Sequence, residues 1–537
     1  TDKGLTWKVI SPDLTTNNPE KLKQDESGGL TMDATGAENH CTILVIEPTP
    51  LEKDVLWAAT DDGQVHITKN GGATWTNVAK NIKGLPEFSW ITQIKASNKN
   101  KGEALLVAND YRRFNYTPYA YRTTNYGKTW TRIVDENDVT SYTLSIVEDP
   151  INKNLLFLGT DDGLYISIDA GNKWTKWTES FPTVSVKDLV IHPREHDLVI
   201  GTFGRAAWVL DDIRPLRAIA KGNVTNKKLQ LFEPPTAYQA AYQQPTGSRF
   251  GADAMYQGEN RKSGAIISYY INKPEKKQEV GKKKKENKKD ANVISSEVEK
   301  SIKNKRDSIK LEIFDGERKI RTLKFKTPKE NGLHKTRWFL KEKGVARASR
   351  TIRKQSREPS GVSVKPGIYK LKMTFGDAVS EQNIKVEFDP RLQISSNAIN
   401  QKYAAAKELE TYQEKMAAIV KQLVESKNTA TQIKKELKKA DAKTSATEKK
   451  YKNEIKSSSE IIKKIDTLLA LYLGKVDKRQ GITSNSEVPI NQRFGIANWY
   501  INSRFGNQTA TETQLMNQFK DAFKNAISET NTFFNND

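Results

Sequence analysis

Cysteine is all but missing. Cys41 is the single one among 537 residues, so no intramolecular disulfide framework holds this chain. Histidine is nearly as scarce, with His40, His66, His192, His196 and His334 scattered along the sequence. His192 and His196 are four apart, but Pro193 stands between them in a strand-to-turn segment. The helical spacing of a zinc pair is therefore denied, and no metal or other cofactor is expected. No apolar run reaches the roughly 18 residues that a membrane-spanning helix needs. A Gly-x-Ser-x-Gly elbow, a His-Glu-x-x-His pair and a phosphate-cradling glycine loop are absent too, which removes the usual signatures of serine hydrolases, metalloproteases and nucleotide binders. The chain also opens without Met, basic n-region or apolar h-region. It begins instead on Thr1-Asp2-Lys3-Gly4-Leu5-Thr6-Trp7, wording that recurs downstream as the middle of a repeat. The expectation is a piece of a longer protein, lacking the first half of its own repeat domain.

What is present suffices for folded cores: 36% of residues are hydrophobic and 9% aromatic. Charge is unevenly placed. Residues 1–222 carry 25 Lys/Arg against 29 Asp/Glu, and the remainder 62 against 36. The two parts are physically different.

The first part is repetitive. Besides the opening segment, boxes occur at Thr68-Lys69-Asn70-Gly71-Gly72-Ala73-Thr74-Trp75, Thr123-Thr124-Asn125-Tyr126-Gly127-Lys128-Thr129-Trp130 and Ser167-Ile168-Asp169-Ala170-Gly171-Asn172-Lys173-Trp174. Apolar runs ending in small-residue turns precede them, such as Val55 to Gly63 and Leu155 to Gly163, each closing on Asp-Asp-Gly. Asp-Gly between β-rich runs is a hairpin signal, because the turn needs positive φ. Further strands are expected at residues 42–47, 90–96, 142–147 and 186–192. A fifth unit, Leu198 to Gly204, continues to Trp208 without a box. Each unit reads as a four-stranded antiparallel meander of the length of a propeller blade, about four to five blades in all.

These boxes resemble the Asp box of sialidase-type and sortilin-type β-propellers. More broadly, the stretches "LWAATDDG", "TPYAYRTTNYGKTW", "LGTDDGLYISIDAGNKW" and "DLVIGTFGRAAWVLDDIRPLR" are similar to the bacterial BNR-repeat family, sortilin-N-like and often labelled glycosyl hydrolase. The resemblance implies a C-terminal propeller half followed by smaller domains, in a secreted, periplasmic or outer-membrane-associated protein. It assigns a structural role to Asp2, Trp7, Asn70, Trp75, Asn125, Trp130, Asp169 and Trp174. The acidic or amide side chain accepts backbone N–H groups across a hairpin, and the Trp wedges against a neighbouring strand.

Beyond the propeller, assigned to residues 1–215, a connector is expected at 216–248. A β-sandwich of fibronectin-III or Ig type follows at 249–391, with strands at residues 264–272, 308–315, 319–326, 333–340, 367–375 and 383–388. Two basic loops interrupt it. Residues 274–306 hold 12 Lys/Arg against six acidic residues, and residues 341–365 hold eight against two. They suit anionic lipid or polysaccharide; they lack the interleaved aromatics of a nucleic-acid platform, so nucleic acid is disfavoured. From residue 396 the apolar period changes to that of an antiparallel helical hairpin, 396–474, with a helical tail, 475–537. Tail helices are expected near Ile490–Asn502 and Thr511–Phe533, the latter capped by a box at Thr511–Gln514. The four helices should bury Phe494, Trp499, Tyr500, Leu515, Phe519 and Phe523.

No catalytic constellation emerges. His40 and Cys41 fall in an expected strand, where a buried thiol is the ordinary reading. Most of the candidate carboxylates, Asp61, Asp62, Asp110, Asp135, Glu136, Asp138, Asp161, Asp162, Asp211 and Asp212, sit in turns, where Asp has a structural reason to be. The segment from Tyr111 to Tyr121 is different, because it extends a hairpin with aromatics and arginines, the types favoured at binding hot spots. Tyr111, Arg112, Arg113, Tyr116 and Tyr119 are the candidate binding residues, with Arg205 in the last unit; their other use is packing against an adjacent blade. The resulting expectation is a non-enzymatic, secreted or envelope-associated scaffold binding a protein or peptide; a subunit of an outer-membrane assembly is a further reading. The alternative is a sialidase-like glycoside hydrolase acting on extracellular glycans.

Overall fold

The computed structural model describes residues 3–23, 40–240, 263–273, 308–352, 357–442, 450–476, 487–504 and 506–536. Asp2, the Lys-rich insert at 274–306 and most of the turn between the hairpin helices lie outside them. The chain forms two compact units, Thr1–Lys227 and Lys228–Asp537.

The first unit contains four successive antiparallel sheets. They are β1 (Ile43–Pro48), β2 (Leu56–Thr60), β3 (Val65–Thr68) and β4 (Thr76–Asn77); then β5 (Trp90–Ala96), β6 (Ala104–Asp110), β7 (Asn115–Thr123) and β8 (Thr131–Arg132). The third comprises β9 (Thr143–Glu148), β10 (Leu156–Thr160), β11 (Gly163–Ser167) and β12 (Thr175–Lys176), and the fourth β13 (Val186–Ile191), β14 (Leu198–Thr202) and β15 (Ala207–Leu210). Every sheet is a simple meander in sequence order, and the first strand of each packs against the first strand of the next. That is the arrangement of propeller blades around an inner axis, and the first unit is a partial β-propeller. The helix α1 (Arg214–Ala220) follows the fourth sheet, and its Arg217 forms a buried 2.6 Å ion pair with Asp149 at the end of β9.

Blades adhere through repeated contacts. Cores of Trp57, Ile91, Leu106 and Tyr121, and of Val107, Ile146, Leu158 and Tyr165, fill the spaces between neighbouring sheets. Thr143 Oγ1 reaches back to the Ala108 and Tyr119 carbonyls at 2.9 and 2.7 Å. The boxes lie in the turns between third and fourth strands. Asn70, Asn125 and Asp169 each accept the backbone N–H four residues on, at 2.9, 2.9 and 3.0 Å. The first box residue, Thr68, Thr123 or Ser167, accepts the N–H of the box glycine at 2.9–3.0 Å.

Each box also grips the preceding unit at one repeating position, three residues past the earlier Trp. Trp75 Nε1 donates to the Ile10 carbonyl at 2.9 Å, and Trp174 Nε1 to the Ile133 carbonyl at 2.7 Å. A Cβ on Gly72 would run into that same Ile10 carbonyl, and one on Gly127 would stand 2.9 Å from Val78 Cγ2. Both glycines have positive φ, so conformation and space exclude a side chain together. Trp130 departs from the pattern: it sets its ring edge against Trp57, and its buried Nε1 has no partner among the described residues. Trp7 is 91% exposed and folds its Nε1 onto the Gly4 carbonyl.

The second unit is a β-sandwich with a helical layer. Within the span read as a connector, β16 (Leu229–Leu231) and β17 (Ala237–Gln239) enter the sheets. β18 (Ala265–Ile271), β19 (Ser308–Asp315), β20 (Arg318–Lys326), β21 (Gly332–Trp338), the hairpin β22 (Lys341–Lys343) and β23 (Ser360–Ser363), β24 (Gly367–Phe375) and β25 (Ala378–Phe388) complete them. The orders are β16-β18-β21 and β17-β25-β24-β19-β20, around a shared core including Ile267, Leu311, Trp338 and Leu371. The second basic loop is thus partly a hairpin. Four helices follow: α2 (Ser396–Asp441), α3 (Lys452–Leu473), α4 (Ile490–Asn502) and α5 (Ala510–Asn536).

They share a core that contains Phe519 and Phe523, with Phe494 and Leu515 partly buried against it. Trp499 and Tyr500 do not join it; they are 63% and 39% exposed. The inward stripe of α4 is Ile490, Phe494, Ala497 and Ile501, a step of four, three and four, which turns residues 499 and 500 outward. The capping box of α5 also sits two residues earlier than expected. Thr509 Oγ1 accepts the Glu512 N–H at 3.2 Å, and Glu512 Oε2 the Thr509 N–H at 2.8 Å.

Glu342 ties the hairpin to α2. Its carboxylate accepts from Arg318 at 3.0 and 3.2 Å and from the Tyr403 hydroxyl at 2.5 Å, with Lys407 Nζ at 3.3 Å. Burial acts to raise this carboxyl, but the Arg318 and Tyr403 hydrogen bonds and the neighbouring cations hold it below its ordinary 4.5. Its contribution to stability is therefore complete above pH 4.5 and disappears as pH falls through the lower folded-state value. Glu342→Gln is expected to cost about 2 kcal/mol at pH 7 and progressively less as pH falls below 4.5, read from urea unfolding over a pH series. In the propeller, Asp169→Ala should cost about 1 kcal/mol and Asp169→Asn, which keeps the acceptor, clearly less.

Candidate functional site

Strand parity fixes which residues share an end of the propeller. In a meander, the first strand starts, the second ends and the third starts at the same end. The turns between third and fourth strands, with their boxes, stand at the other. The inner-strand end therefore collects Asp61, Asp62, the segment from Asp110 to Asn115, Asp161, Asp162 and Arg205.

Tyr111–Arg113 form a single 3₁₀ turn closing on Phe114, which has φ of +60° and is 85% exposed. The turn is anchored on both sides. Tyr111 stacks on Tyr142 of the next blade, ring centroids 4.7 Å apart, and Tyr116 leans on the same ring at 6.1 Å. The Arg112 guanidinium lies 3.2 Å above the Trp90 ring and 4.5 Å from Tyr111. Arg113 Nε donates to Asp110 Oδ1 at 2.6 Å and its Nη2 to the Glu87 carbonyl at 2.6 Å. Tyr119 is buried, its hydroxyl receiving Asn115 Nδ2 at 3.0 Å. Burial, and then the Asp161 carboxylate accepting its hydroxyl, push Tyr142 well above the ordinary tyrosine range.

Arg112 and Arg113 line a cavity of about 210 Å³ with Trp90, Asn109 and Asp110. Phe88, His40 and Lys21 complete it. Sequence reasoning marked the arginines but missed Lys21, His40, Phe88, Trp90 and Asn109, which converge only through strand parity. His40 and Cys41 stand before β1 rather than in a strand; Cys41 has φ of +64°, which breaks extended pairing. Tyr111, Arg112, Arg113 and Tyr116 act together, and Tyr119 supports them from beneath. Arg205 does not join them: it sits between Gly204 and Ala206, both at positive φ, and its carbonyl receives Trp208 Nε1 at 2.9 Å. A larger cleft, about 950 Å³, opens among α3, α4 and α5, but its charged residues, such as Lys463, Asp466 and Glu529, alternate in sign around it.

The acidic turn residues at this end are occupied. Asp61 Oδ1 accepts the Thr42 N–H at 2.7 Å, and Asp62 accepts the Thr60 hydroxyl together with the Thr16 hydroxyl and N–H at 2.7 and 2.6 Å. Asp162 accepts Lys176 Nζ at 2.7 Å and the Thr160 hydroxyl at 2.6 Å. Burial would raise both Asp62 and Asp162, but these donors outweigh it and leave each below the usual carboxylate range. The carboxyls at the strand ends opposite, Glu47 and Glu148, are raised by burial, against the pull of Lys95 on the first and of Lys99 and Arg122 on the second. Among the described residues no group of His, Cys, Asp and Glu has the makings of a metal site.

Residues 119–215 match the Sortilin-Vps10 family model. Its description reads "Sortilin, neurotensin receptor 3", and the match spans the third and fourth blades with the end of the second. No curated relative matches the chain. Similar solved structures include the GH74 enzyme of Niastella koreensis, 18% identical over 32% of this chain and 28% of that one, TM-score 0.27. YCF48 from Cyanidioschyzon merolae is 16% identical over 32% of this chain and 56% of its own, TM-score 0.22. A GH74 xyloglucanase of Xanthomonas campestris is 15% identical over 32% and 29%, TM-score 0.24. The chain spans less than a third of the Niastella enzyme.

Removing the shared ring should loosen the 111–116 turn. Tyr142→Leu is expected to speed tryptic cleavage after Arg112 and Arg113 severalfold, whereas Tyr142→Phe, which keeps the stacking face, changes it little; timed digestion with mass spectrometry reads the difference.

Proposed function

We propose that the first unit is a polypeptide-recognition module presenting the inner-strand end of its second and third blades to a protein or peptide partner. The observation that carries this reading is the rigid aromatic–cationic ledge at that end. Trp90, Arg112, Tyr111, Tyr142 and Tyr116 hold one another in place, leaving Phe114 and Tyr116 exposed at 85% and 56%. Preassembled aromatics beside arginine bind at low ordering cost. The partial match to a family described as a receptor supports the same reading. A place in an outer-membrane assembly, in the periplasm or outside the cell, belongs to this proposal as well.

Glycan hydrolysis is the alternative. It calls for one carboxyl kept protonated near neutrality beside a second that stays ionised. Asp62 and Asp162 are held ionised by their donors, and the raised Glu47 and Glu148 stand at the opposite end, which favours recognition. Peptides selected from a displayed random library should bind the full chain saturably. Phe114→Ala and Tyr116→Ala should weaken them about tenfold each, and Lys173→Ala in the box of the third blade should not. Failure to select any peptide, with release of reducing sugar from a glycan by the same protein, would reverse the assignment.

A further inference from the structure

The cavity beside the ledge has unmet polar demands of a definite kind. Asn109 is 1% exposed, and its Oδ1 is buried without a hydrogen-bond partner among the described residues, although its Nδ2 donates to the Thr143 carbonyl at 3.3 Å. His40 Nε2 is buried and unpartnered in the same way. His40 Nδ1 stands 3.4 Å from Asp61 Oδ2; with the Nδ1 proton turned to that carboxylate, the neutral form of the ring carries its lone pair on Nε2. Two buried acceptors therefore wait for donors, each an unfavourable state until filled.

The charges are equally definite. Arg113 is matched by Asp110. Arg112 rests on Trp90 and Lys21 lies 6.0 Å above Phe88, and among the described residues neither faces a carboxylate within ion-pair distance. The cavity thus asks for one anion and two hydrogen-bond donors. Inorganic phosphate is far smaller than about 210 Å³. A terminal residue offers one N–H beside its carboxylate. A chain that continues past an Asp or Glu offers the side-chain carboxylate to Arg112 and Lys21, successive backbone N–H groups to Asn109 Oδ1 and His40 Nε2, and methylenes to Phe88 and Trp90. Resting on the recognition reading above, we infer that this cavity binds an internal acidic residue of an extended peptide.

The test uses the full chain and fluorescent peptides, acetylated and amidated at their ends, each carrying a single Glu or Asp or its Gln or Asn counterpart. Acidic peptides should bind saturably in fluorescence anisotropy. Exchanging Glu for Gln in the peptide, or making Arg112→Ala or Lys21→Gln in the protein, should weaken binding about tenfold, and added salt should weaken the acidic peptides selectively. Lys21 is the second, independent arm should Arg112→Ala unsettle its turn; circular dichroism reports folding of both. Equal binding of acidic and neutral peptides would overturn the inference while leaving peptide recognition standing. Binding confined to peptides with a free C-terminus, or Arg112-dependent binding of oligogalacturonate without any capped peptide, would overturn it as well. The last result would take the recognition reading with it.

Discussion

The propeller depends on a grip that recurs between blades. A glycine and a tryptophan in the turn between third and fourth strands close on the residue three places past the preceding Trp. The backbone there is drawn so close that Gly72 has no room for a Cβ against Ile10, and Trp75 takes the same carbonyl as its acceptor. Each contact is modest, since an indole hydrogen bond and its buried ring contribute about 1–3 kcal/mol together. Their position matters more than their size. They clamp the outer strand, whose ladder pairs only two residues in each complete sheet, and leave the inner strands free to pack on one another. The chemistry of the box follows from that duty. Asn70 and Asn125 replace the acid without loss because the turn needs an acceptor, and their Nδ2 groups find Thr74 and Thr129 at 2.9 and 2.8 Å.

A consequence is the separation of labour between the two ends of each sheet. Structural boxes occupy one end, so variation in sequence and loop length can be tolerated at the other. There, the second blade carries the aromatic–arginine excursion where the first and third have tight Asp-Asp-Gly turns. A turn of this type ordinarily costs little and displays little. The longer loop costs more to order, and the Tyr142 ring of the adjacent blade offsets that by holding Tyr111 and Tyr116 at once. Recognition surface and blade packing are thus the same contact viewed from two sides. The two uses weighed for the segment in the sequence do not compete.

How far the sequence could be read follows from the range of the interactions involved. Local signals carried well: the α4 limits, the positions of β5, β19 and β24, and the hairpin turns all follow from period and turn chemistry within a few residues. Errors arose where a second segment decides. Trp499 and Tyr500 look like core until the stripe of Ile490, Ala497 and Ile501 fixes which face α4 turns inward. The short strands β16, β17, β22 and β23 carry no alternation long enough to recognise, and exist because neighbouring strands offer them a ladder. The candidate site divides the same way. Arg112 and Arg113 stood out by composition, but Lys21, His40 and Asn109 are unremarkable residues in their own contexts. Only the alternation of strand direction brings a loop, the approach to β1 and the end of β6 to one place.

That convergence also bears on why an unsatisfied Asn109 persists. A buried carbonyl oxygen without a donor is destabilising by about 1–3 kcal/mol. A hydrophobic residue of similar size at the end of β6 would remove that cost but would take away the donor to the Thr143 carbonyl. The same cavity places two cations where no described carboxylate meets them, a second unfavourable choice at the same address. Asn109 keeps a structural bond through Nδ2 to the Thr143 carbonyl, and Arg112 one through the Trp90 ring; a ligand carrying donors and negative charge would meet what these contacts leave over. Stability lost to the unpartnered acceptors and unmatched cations would return on binding, when the acceptors are filled and the cations matched.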